Sequence, residues 1–185
     1  PHPKDLRPET IAAMAETPEV CEHLHLPVQS GSDRVLAAMH RGYTAERYLE
    51  KLSAARAAMG DLAVTTDIIV GFPGETEQDF AELRSLVASY RFERLGVFPY
   101  SREETTPAHD MPEQVPEAVA QERAGELMAM QRDVMLAFQK SFVGKTVPVL
   151  VDGYDAEAKS LVGRTYADAP EVDCRVLLPK GAAEP

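Results

Sequence analysis

Segments with β-strand character alternate with helical segments between residues 21 and 100, and this order constrains the fold more than any other feature. Residues 21–28, 62–70 and 92–100 are rich in alternating or β-branched apolar residues, as strands are. Apolar positions at helical spacing lie between them, in residues 44–59 and 76–90. The connections are long enough for right-handed crossovers, so the order predicts a parallel sheet or barrel.

The sequence changes character after residue 100. A polar loop with several prolines, residues 101–116, precedes a long helix that runs to about Lys140. Short β-like runs follow at residues 145–151, 159–166 and 172–178. We therefore predict an α/β fold in which residues 1–142 form half of a parallel (β/α) barrel with its long C-terminal helix. Residues 143–185 are predicted to form an incomplete small antiparallel β-domain.

Composition and charge limit the classes of function. The 185 residues have a formal net charge of -11, so the surface repels phosphate backbones unless a local basic patch overrides it. No apolar run is long enough for a membrane helix and no signal peptide precedes the fold, so a cytoplasmic location is expected. Cys21 and Cys174 are expected to be reduced and structural. Both ends, at Pro1 and Pro185, resemble cuts in a longer chain.

Three loops are the candidate ligand site, because ligands of parallel α/β folds bind where the strands end. They are residues 29–32, 71–75 and 98–101. Gly71 and Gly74 let the backbone approach a ligand and Glu75 offers a carboxylate, although Gly-Phe-Pro-Gly is also a common tight turn. Gln29 and Ser30 offer polar groups to a ribose or an amino acid, or cap the next helix.

Other chemistry is poorly supported by the sequence. Cys21, His23 and His25 alternate on one strand, but same-face neighbours rarely converge on one ion, so no metal ligand is assigned. Asp67 lies in an apolar strand, where it is either paired inside a barrel or solvated at the strand edge. The sequence contains no recognisable catalytic triad, P-loop or dinucleotide fingerprint, and no catalytic side chain is assigned.

Several blocks of residues, in order, resemble the radical S-adenosylmethionine methylthiotransferases. They are His-Pro-Lys-Asp-Leu at 2–6, His-Leu-His-Leu-Pro-Val-Gln-Ser-Gly-Ser-Asp-Arg-Val-Leu at 23–36, and Thr-Asp-Ile-Ile-Val-Gly-Phe-Pro-Gly-Glu-Thr at 66–76. The resemblance implies a radical SAM barrel followed by a β-domain of the TRAM type. It also implies that S-adenosylmethionine is cleaved at a 4Fe-4S cluster to a deoxyadenosyl radical, which activates the carbon that receives a methylthio group.

The same resemblance implies two 4Fe-4S clusters in the whole enzyme, one of them held by a Cys-x-x-x-Cys-x-x-Cys motif. This sequence lacks that motif, so the isolated chain is expected to be inactive. The residues implied to contact S-adenosylmethionine lie in or beside the three loops: Gln29, Ser30, Asp67, Gly71, Phe72, Pro73, Gly74, Glu75, Phe98, Tyr100 and Ser101. The sulfur donor cannot be assigned.

Two branches of the family compete for the substrate. The first half resembles enzymes that methylthiolate an adenosine of tRNA, whereas Gly-Arg-Thr-Tyr-Ala-Asp-Ala-Pro-Glu-Val-Asp at 163–173 resembles those that modify an aspartate of ribosomal protein S-twelve. We favour the ribosomal protein, because seven acidic and five basic residues after residue 140 suit a basic partner. A third hypothesis is a substrate-docking module without catalysis. The strand at 21–28 is also expected to leave an open sheet edge and to promote self-association.

Overall fold

The computed structural model describes residues 2–179 and 181, and its first part is built on a parallel sheet. Strands β1 (His23–His25), β2 (Ala63–Val70) and β3 (Arg94–Pro99) lie in this order, with both pairs parallel. Helices α2 (Asp33–Ala38) and α3 (Ala45–Ala58) connect β1 to β2, and α4 (Glu77–Ser89) connects β2 to β3. The predicted α/β class with parallel strands is therefore confirmed.

Side-chain caps fix where the crossover helices begin. The hydroxyl of Thr44 accepts a hydrogen bond from the amide of Arg47 at the start of α3. At the start of α4, Thr76 and Asp79 form a capping box in which each side chain bonds the backbone of the other. Because these bonds satisfy amides that the helix leaves without partners, the local sequence alone defines both starting points.

One face of the parallel sheet packs against the helices and forms the core. Leu26, Val64 and Ile68 on this face have no exposed surface. Helix α1 (Pro8–Glu16), which we did not predict from the sequence, contributes buried Ile11 to the same core. We missed α1 because it buries a single residue and therefore lacks an apolar stripe.

The opposite face of the sheet is polar and partly open. The side chains of His23 and His25 lie beside Thr65, whose hydroxyl is 3.3 Å and 2.9 Å from their ring nitrogens. His25 also approaches the Asp67 carboxylate, with Nε2 3.5 Å from Oδ2. One strand face thus buries apolar groups while the other presents hydrogen-bonding groups.

The last helix and a second sheet complete the structure. Helix α5 (Glu117–Lys140) packs along β3. Strands β4 (Leu150–Asp155), β5 (Ser160–Arg164) and β6 (Val176–Leu178) form an antiparallel sheet in sequence order. The predicted antiparallel region is therefore present, although its first strand begins at Leu150 instead of residue 145.

Polar contacts join the second sheet to the first. Arg94 of β3 donates from Nη2 to Oδ1 of Asp168 at 2.6 Å, and its Nε lies 3.5 Å from Oδ1 of Asp173. The hydroxyl of Tyr166 donates to the carbonyl of Asp61 at 3.0 Å. Acidic residues of the C-terminal region therefore serve to dock it onto the first sheet.

Strand β1 is shorter than predicted. Pro27 has no amide hydrogen, so regular pairing stops at His25, although the amide of Leu26 still donates to the carbonyl of Thr65. As an outer strand, β1 leaves one edge of the sheet unpaired, and we predict that this edge promotes self-association.

Within residues 2–179 and 181, none of the helices combines the length and the apolar character of a membrane span.

Candidate functional site

The three predicted loops meet at the C-terminal edge of the parallel sheet. The amide of Gln29 donates to the carbonyl of Asp67, and the amide of Ile69 donates to the carbonyl of Gln29, both at 2.9 Å. The amide of Tyr100 donates to the carbonyl of Val70 at 2.8 Å. The ends of all three strands are thus hydrogen-bonded into one rim, as their common parallel direction requires.

Gln29 is held in an uncommon backbone conformation at this rim. Its φ of 69° lies in the left-handed region, which non-glycine residues seldom adopt. The two hydrogen bonds to β2 hold the backbone in place and leave the side chain half-buried. Residues held in this way cluster at binding sites, where the fold compensates for the strain.

A pocket of about 260 Å³ lies on the rim and includes three of the predicted residues, Phe72, Tyr100 and Ser101. Ile69 at the end of β2 lines it from the sheet. The connection between α2 and α3 closes one side, and the segment after Ser101 closes the other. We call this cavity the rim pocket; its remaining lining residues are Ala38, Met39, His40, Arg41, Thr106, Pro107, Ala108 and Met111.

The hydroxyl of Tyr100 is the most informative group of the rim pocket. It is buried and makes no hydrogen bond to the residues that the structure describes. The ring is fixed by an edge-on contact with Phe72, with centroids 5.4 Å apart. A buried hydroxyl without a partner costs about 1–3 kcal/mol, and a ligand that supplies the missing bond would offset this cost.

The loop at residues 71–75 faces helix α5 more than it faces the rim pocket. Gly71 has φ 75°, and a Cβ placed on it would lie 2.5 Å from Cβ of Ala120. The glycine is therefore required by the close approach of α5. Gly74 has its amide bonded to the carbonyl of Glu113 at 2.9 Å, which ties the loop to the segment before α5.

The Glu75 carboxylate points inward. We had expected it to face a ligand. Oε1 accepts hydrogen bonds from the amide of Gly71 at 2.9 Å and from Nη1 of Arg123 at 2.6 Å. Burial raises the pKa of Glu75 above its ordinary value, against the opposing effect of the Gly71 amide and Arg123. Sequence reasoning missed Arg123, because an arginine in an amphipathic helix is normally a surface residue.

A second buried carboxylate supports the loop at residues 29–32. The hydroxyl of Ser32 donates to Oδ1 of Asp79 at 2.6 Å, and Nε of Arg34 donates to the same oxygen at 3.2 Å. Burial acts to raise the pKa of Asp79, but the bonds from Arg34, Ser32 and Thr76 outweigh it, and the pKa lies well below its ordinary value. Ser30 is buried and accepts from the Ser32 amide, so its hydroxyl braces the same turn.

Asp67 and Phe98 lie on the open polar face of the sheet, outside the lining of the rim pocket. Asp67 is paired loosely with His25 and its side chain is 37% exposed, so both expectations for this residue hold in part. Phe98 is exposed, and Gly96 lies between the two: a Cβ there would meet Asp67 at 2.8 Å and the Phe98 ring at 2.9 Å. The open face thus offers a carboxylate and an aromatic surface next to the rim.

The rim fits part of S-adenosylmethionine, whereas the described residues do not supply a cluster site. The rim pocket is smaller than the roughly 300–1,000 Å³ of a typical ligand site, so it has room for only a portion of a ligand of that size. Residues 2–179 and 181 contain no group of three histidines, cysteines or carboxylates that could hold a metal ion. Cys21 is exposed in the loop before β1, and Cys174 lies in the C-terminal region.

Comparison with protein families shows which domains these are. Residues 2–87 match the Radical SAM superfamily, and residues 143–184 match the TRAM domain. We call residues 2–87 the radical SAM segment and residues 143–184 the TRAM domain, after the family models that they match. The radical SAM segment contains β1, β2 and the rim loops at residues 29–32 and 71–75, and the TRAM domain contains the antiparallel sheet.

Relatives match the chain across both domains. They include proteins of Salinispora arenicola (51% identical over 164 residues, 89% of this chain and 33% of the relative) and Nocardia farcinica (44% over 185 residues, 100% and 37%). Another is from Acidothermus cellulolyticus (49% over 168 residues, 89% and 34%). All three are named tRNA-2-methylthio-N(6)-dimethylallyladenosine synthase. The chain spans about a third of the length of these relatives.

The prediction that the parent enzyme modifies ribosomal protein S-twelve is wrong. Relatives at 44–51% identity are named for a tRNA product, which supports the alternative branch. The charge argument failed for a structural reason: Asp168 and Asp173 are used to bind Arg94 of β3. A count of charges in the TRAM sequence therefore does not measure the charge that a substrate meets.

Proposed function

We propose that this chain is part of a radical SAM enzyme that attaches a methylthio group to N6-dimethylallyladenosine in tRNA. The names of the relatives support this reaction and substrate, and the rim pocket supports a cofactor site on this chain. The observation that carries the proposal is Tyr100, which lines a pocket of about 260 Å³ and whose buried hydroxyl has no partner among the described residues. In the bound state this hydroxyl donates to or accepts from S-adenosylmethionine.

The residues of this chain bind and orient the cofactor, and none acts as an acid, a base or a nucleophile. Phe72 and Tyr100 hold an aromatic portion of the cofactor, and the half-buried side chain of Gln29 holds its polar end. Asp67 accepts a hydrogen bond from a hydroxyl at the open face, where its carboxylate is partly exposed. S-adenosylmethionine supplies the radical chemistry once it is bound, so the role of the protein is positioning.

The groups that hold the iron belong to other parts of the parent protein. The sequence has two cysteines, far apart, and no Cys-x-x-x-Cys-x-x-Cys motif. We therefore propose that both 4Fe-4S clusters are bound by residues outside this chain, and that residues 1–185 alone have no transferase activity. A cytoplasmic location is proposed as well, since that is where tRNA would meet the enzyme.

The experiment is a transfer assay with the full-length parent, its clusters reconstituted. Three substrates are compared under reducing conditions with S-adenosylmethionine: tRNA containing N6-dimethylallyladenosine, the same tRNA with unmodified adenosine, and ribosomal protein S-twelve. Mass spectrometry of nucleosides and of peptides should detect a methylthio group on the prenylated tRNA only. Transfer to the ribosomal protein, or to none of the three while S-adenosylmethionine is still cleaved, would overturn the proposal.

A further inference from the structure

Two pockets near the end of α2 and the start of α3 are lined by basic and neutral residues, although the whole chain has a formal net charge of -11. The rim pocket includes His40 and Arg41, and a second pocket of about 150 Å³ includes Gly42 and Tyr43 with Lys4, Arg47 and Lys51. Arg41 and Gly42, which are consecutive in the chain, line one pocket each. Neither lining contains an acidic residue within the described part of the chain.

Three of these cations are not used by the protein itself. Lys4, Arg41 and Arg47 make no ion pair in residues 2–179 and 181, and Nε of Arg41 is buried without a hydrogen-bond partner there. By contrast, Lys51 donates to the carbonyls of Pro3 and Leu6 at 2.6 Å and 2.9 Å, which makes it a structural group. We call Lys4, Arg41 and Arg47 the basic rim.

The backbone between α2 and α3 holds the basic rim together. Gly42 has φ 69°, and a Cβ placed on it would lie 3.1 Å from Cε and Nζ of Lys4. The ammonium group of Lys4 therefore rests against this connection, on the surface to which Arg41 and Arg47 also contribute. Glu46 and Glu50 of α3 lie outside the lining of both pockets.

The TRAM domain offers less free positive charge than its sequence suggests. Arg164 is paired with Asp152, and Arg175 donates to Asp155 at 2.7 Å. In residues 143–179, only Lys145 and Lys159 remain as cations without an ion pair. An RNA backbone requires unpaired cations, because each neutralised phosphate releases counterions.

We propose that the basic rim binds the phosphodiester backbone of the RNA substrate, beside the nucleotide that is modified. This inference rests on the proposed tRNA function and adds the surface that holds the RNA. Arg41 lines the same pocket as Tyr100, so a phosphate bound there lies next to the cofactor loops. Lys4 and Arg47 extend the contact along the backbone. These contacts position the strand and do not read its sequence.

The test measures RNA affinity of the reconstituted full-length parent over a range of salt concentrations. Fluorescence anisotropy with a labelled anticodon stem-loop gives the slope of log K against log salt for wild type, Lys4→Gln, Arg41→Gln and Arg47→Gln. Each substitution should weaken binding several-fold and lower the slope by about one, as expected for a lost phosphate contact. Affinity for S-adenosylmethionine, measured without RNA, should stay at the wild-type value for Lys4→Gln and Arg47→Gln.

Arg132→Gln is the matched control. Arg132 is exposed on α5 and also lacks an ion pair in the described part of the chain, but its neighbour Gln131 bonds the carbonyl of Phe92 at the opposite edge of the sheet. Arg132→Gln should leave both the RNA affinity and the salt slope unchanged. Equal slopes for the control and the three rim variants would overturn the proposal. Wild-type protein that binds no RNA at any salt concentration would instead overturn the proposed tRNA function.

Discussion

Nη1 of Arg123 lies 2.6 Å from Oε1 of Glu75, and the two side chains are only 6% and 1% exposed. This pair fastens helix α5 to the loop that follows β2, on the inner side of the candidate site. Removing one partner of a buried pair leaves an unpaired buried charge, which costs about 3–5 kcal/mol. The pair therefore stabilises the fold and also holds the loop at residues 71–75 in position at the rim.

The first prediction concerns this pair in the full-length parent. Arg123→Met should lower the free energy of unfolding by about 3–5 kcal/mol, measured by chemical denaturation, because it leaves the Glu75 carboxylate buried alone. The control is Arg84→Gln, which breaks an exposed pair with Glu126 and should cost about 0–1 kcal/mol. Equal losses for the two variants would show that burial of the Arg123 pair is unimportant.

The second prediction uses two glycines that face different surroundings. Gly71→Ala should destabilise the protein and displace α5, because φ is positive and the new Cβ would meet Ala120 at 2.5 Å. Gly125→Ala, within α5 and with nothing inside 4 Å, should stabilise it by about 0.5–1 kcal/mol. Thermal unfolding of both variants gives the comparison. A stabilising Gly71→Ala would contradict the close approach of α5.

The third prediction separates cofactor binding from folding. Tyr100→Phe should weaken S-adenosylmethionine binding several-fold in calorimetry without lowering the free energy of unfolding, because it removes a buried hydroxyl that has no partner in the described structure. Tyr90→Phe is matched, since its buried hydroxyl also lacks a partner among the described residues but lies near Phe92, at the start of β3. Tyr90→Phe should leave the affinity for S-adenosylmethionine unchanged. Similar affinities for the two variants would remove Tyr100 from the site.

The fourth prediction is a pH dependence that arises from Asp79. Its pKa is lower in the folded state, so its contribution to stability is present above the unfolded value of about 3.9 and is lost as the pH falls below it. Asp79→Asn should reduce stability at neutral pH and flatten the decline of unfolding free energy below about pH 4. Asp133→Asn, exposed on α5, should change neither quantity. An unaltered acid slope in Asp79→Asn would contradict the role of the Arg34 and Ser32 bonds.

Much of the radical SAM segment could be predicted from local sequence. Strand β2 and the start of α4 depend on nearby residues, the apolar run at 63–70 and the Thr76–Asp79 capping box, so they appear in the sequence as they do in the structure. Helix α1 escaped prediction because only Ile11 marks its buried face. That the three loops lie at one edge of the sheet could be predicted because the strands are parallel. The hydrophobic pattern of the strands and the length of the crossovers together indicate this parallel order.

The direction in which the loop side chains point could not be predicted. Glu75 faces inward because of Arg123, 48 residues later, and no local pattern reports such a distant partner. The charge available to a substrate was also hidden, since Asp168 and Asp173 are used by Arg94, far earlier in the sequence. Both errors came from treating charged residues as solvent-exposed.

The most direct measurement of the central claim is hydrogen–deuterium exchange of the reconstituted parent with and without S-adenosylmethionine. The rim loops should become protected when the cofactor binds, at the amides of residues 29–32, 71–75 and 98–101, with the TRAM strands unchanged. Protection confined to other regions, with these three loops exchanging as in the cofactor-free protein, would contradict the assignment of the rim as the cofactor site.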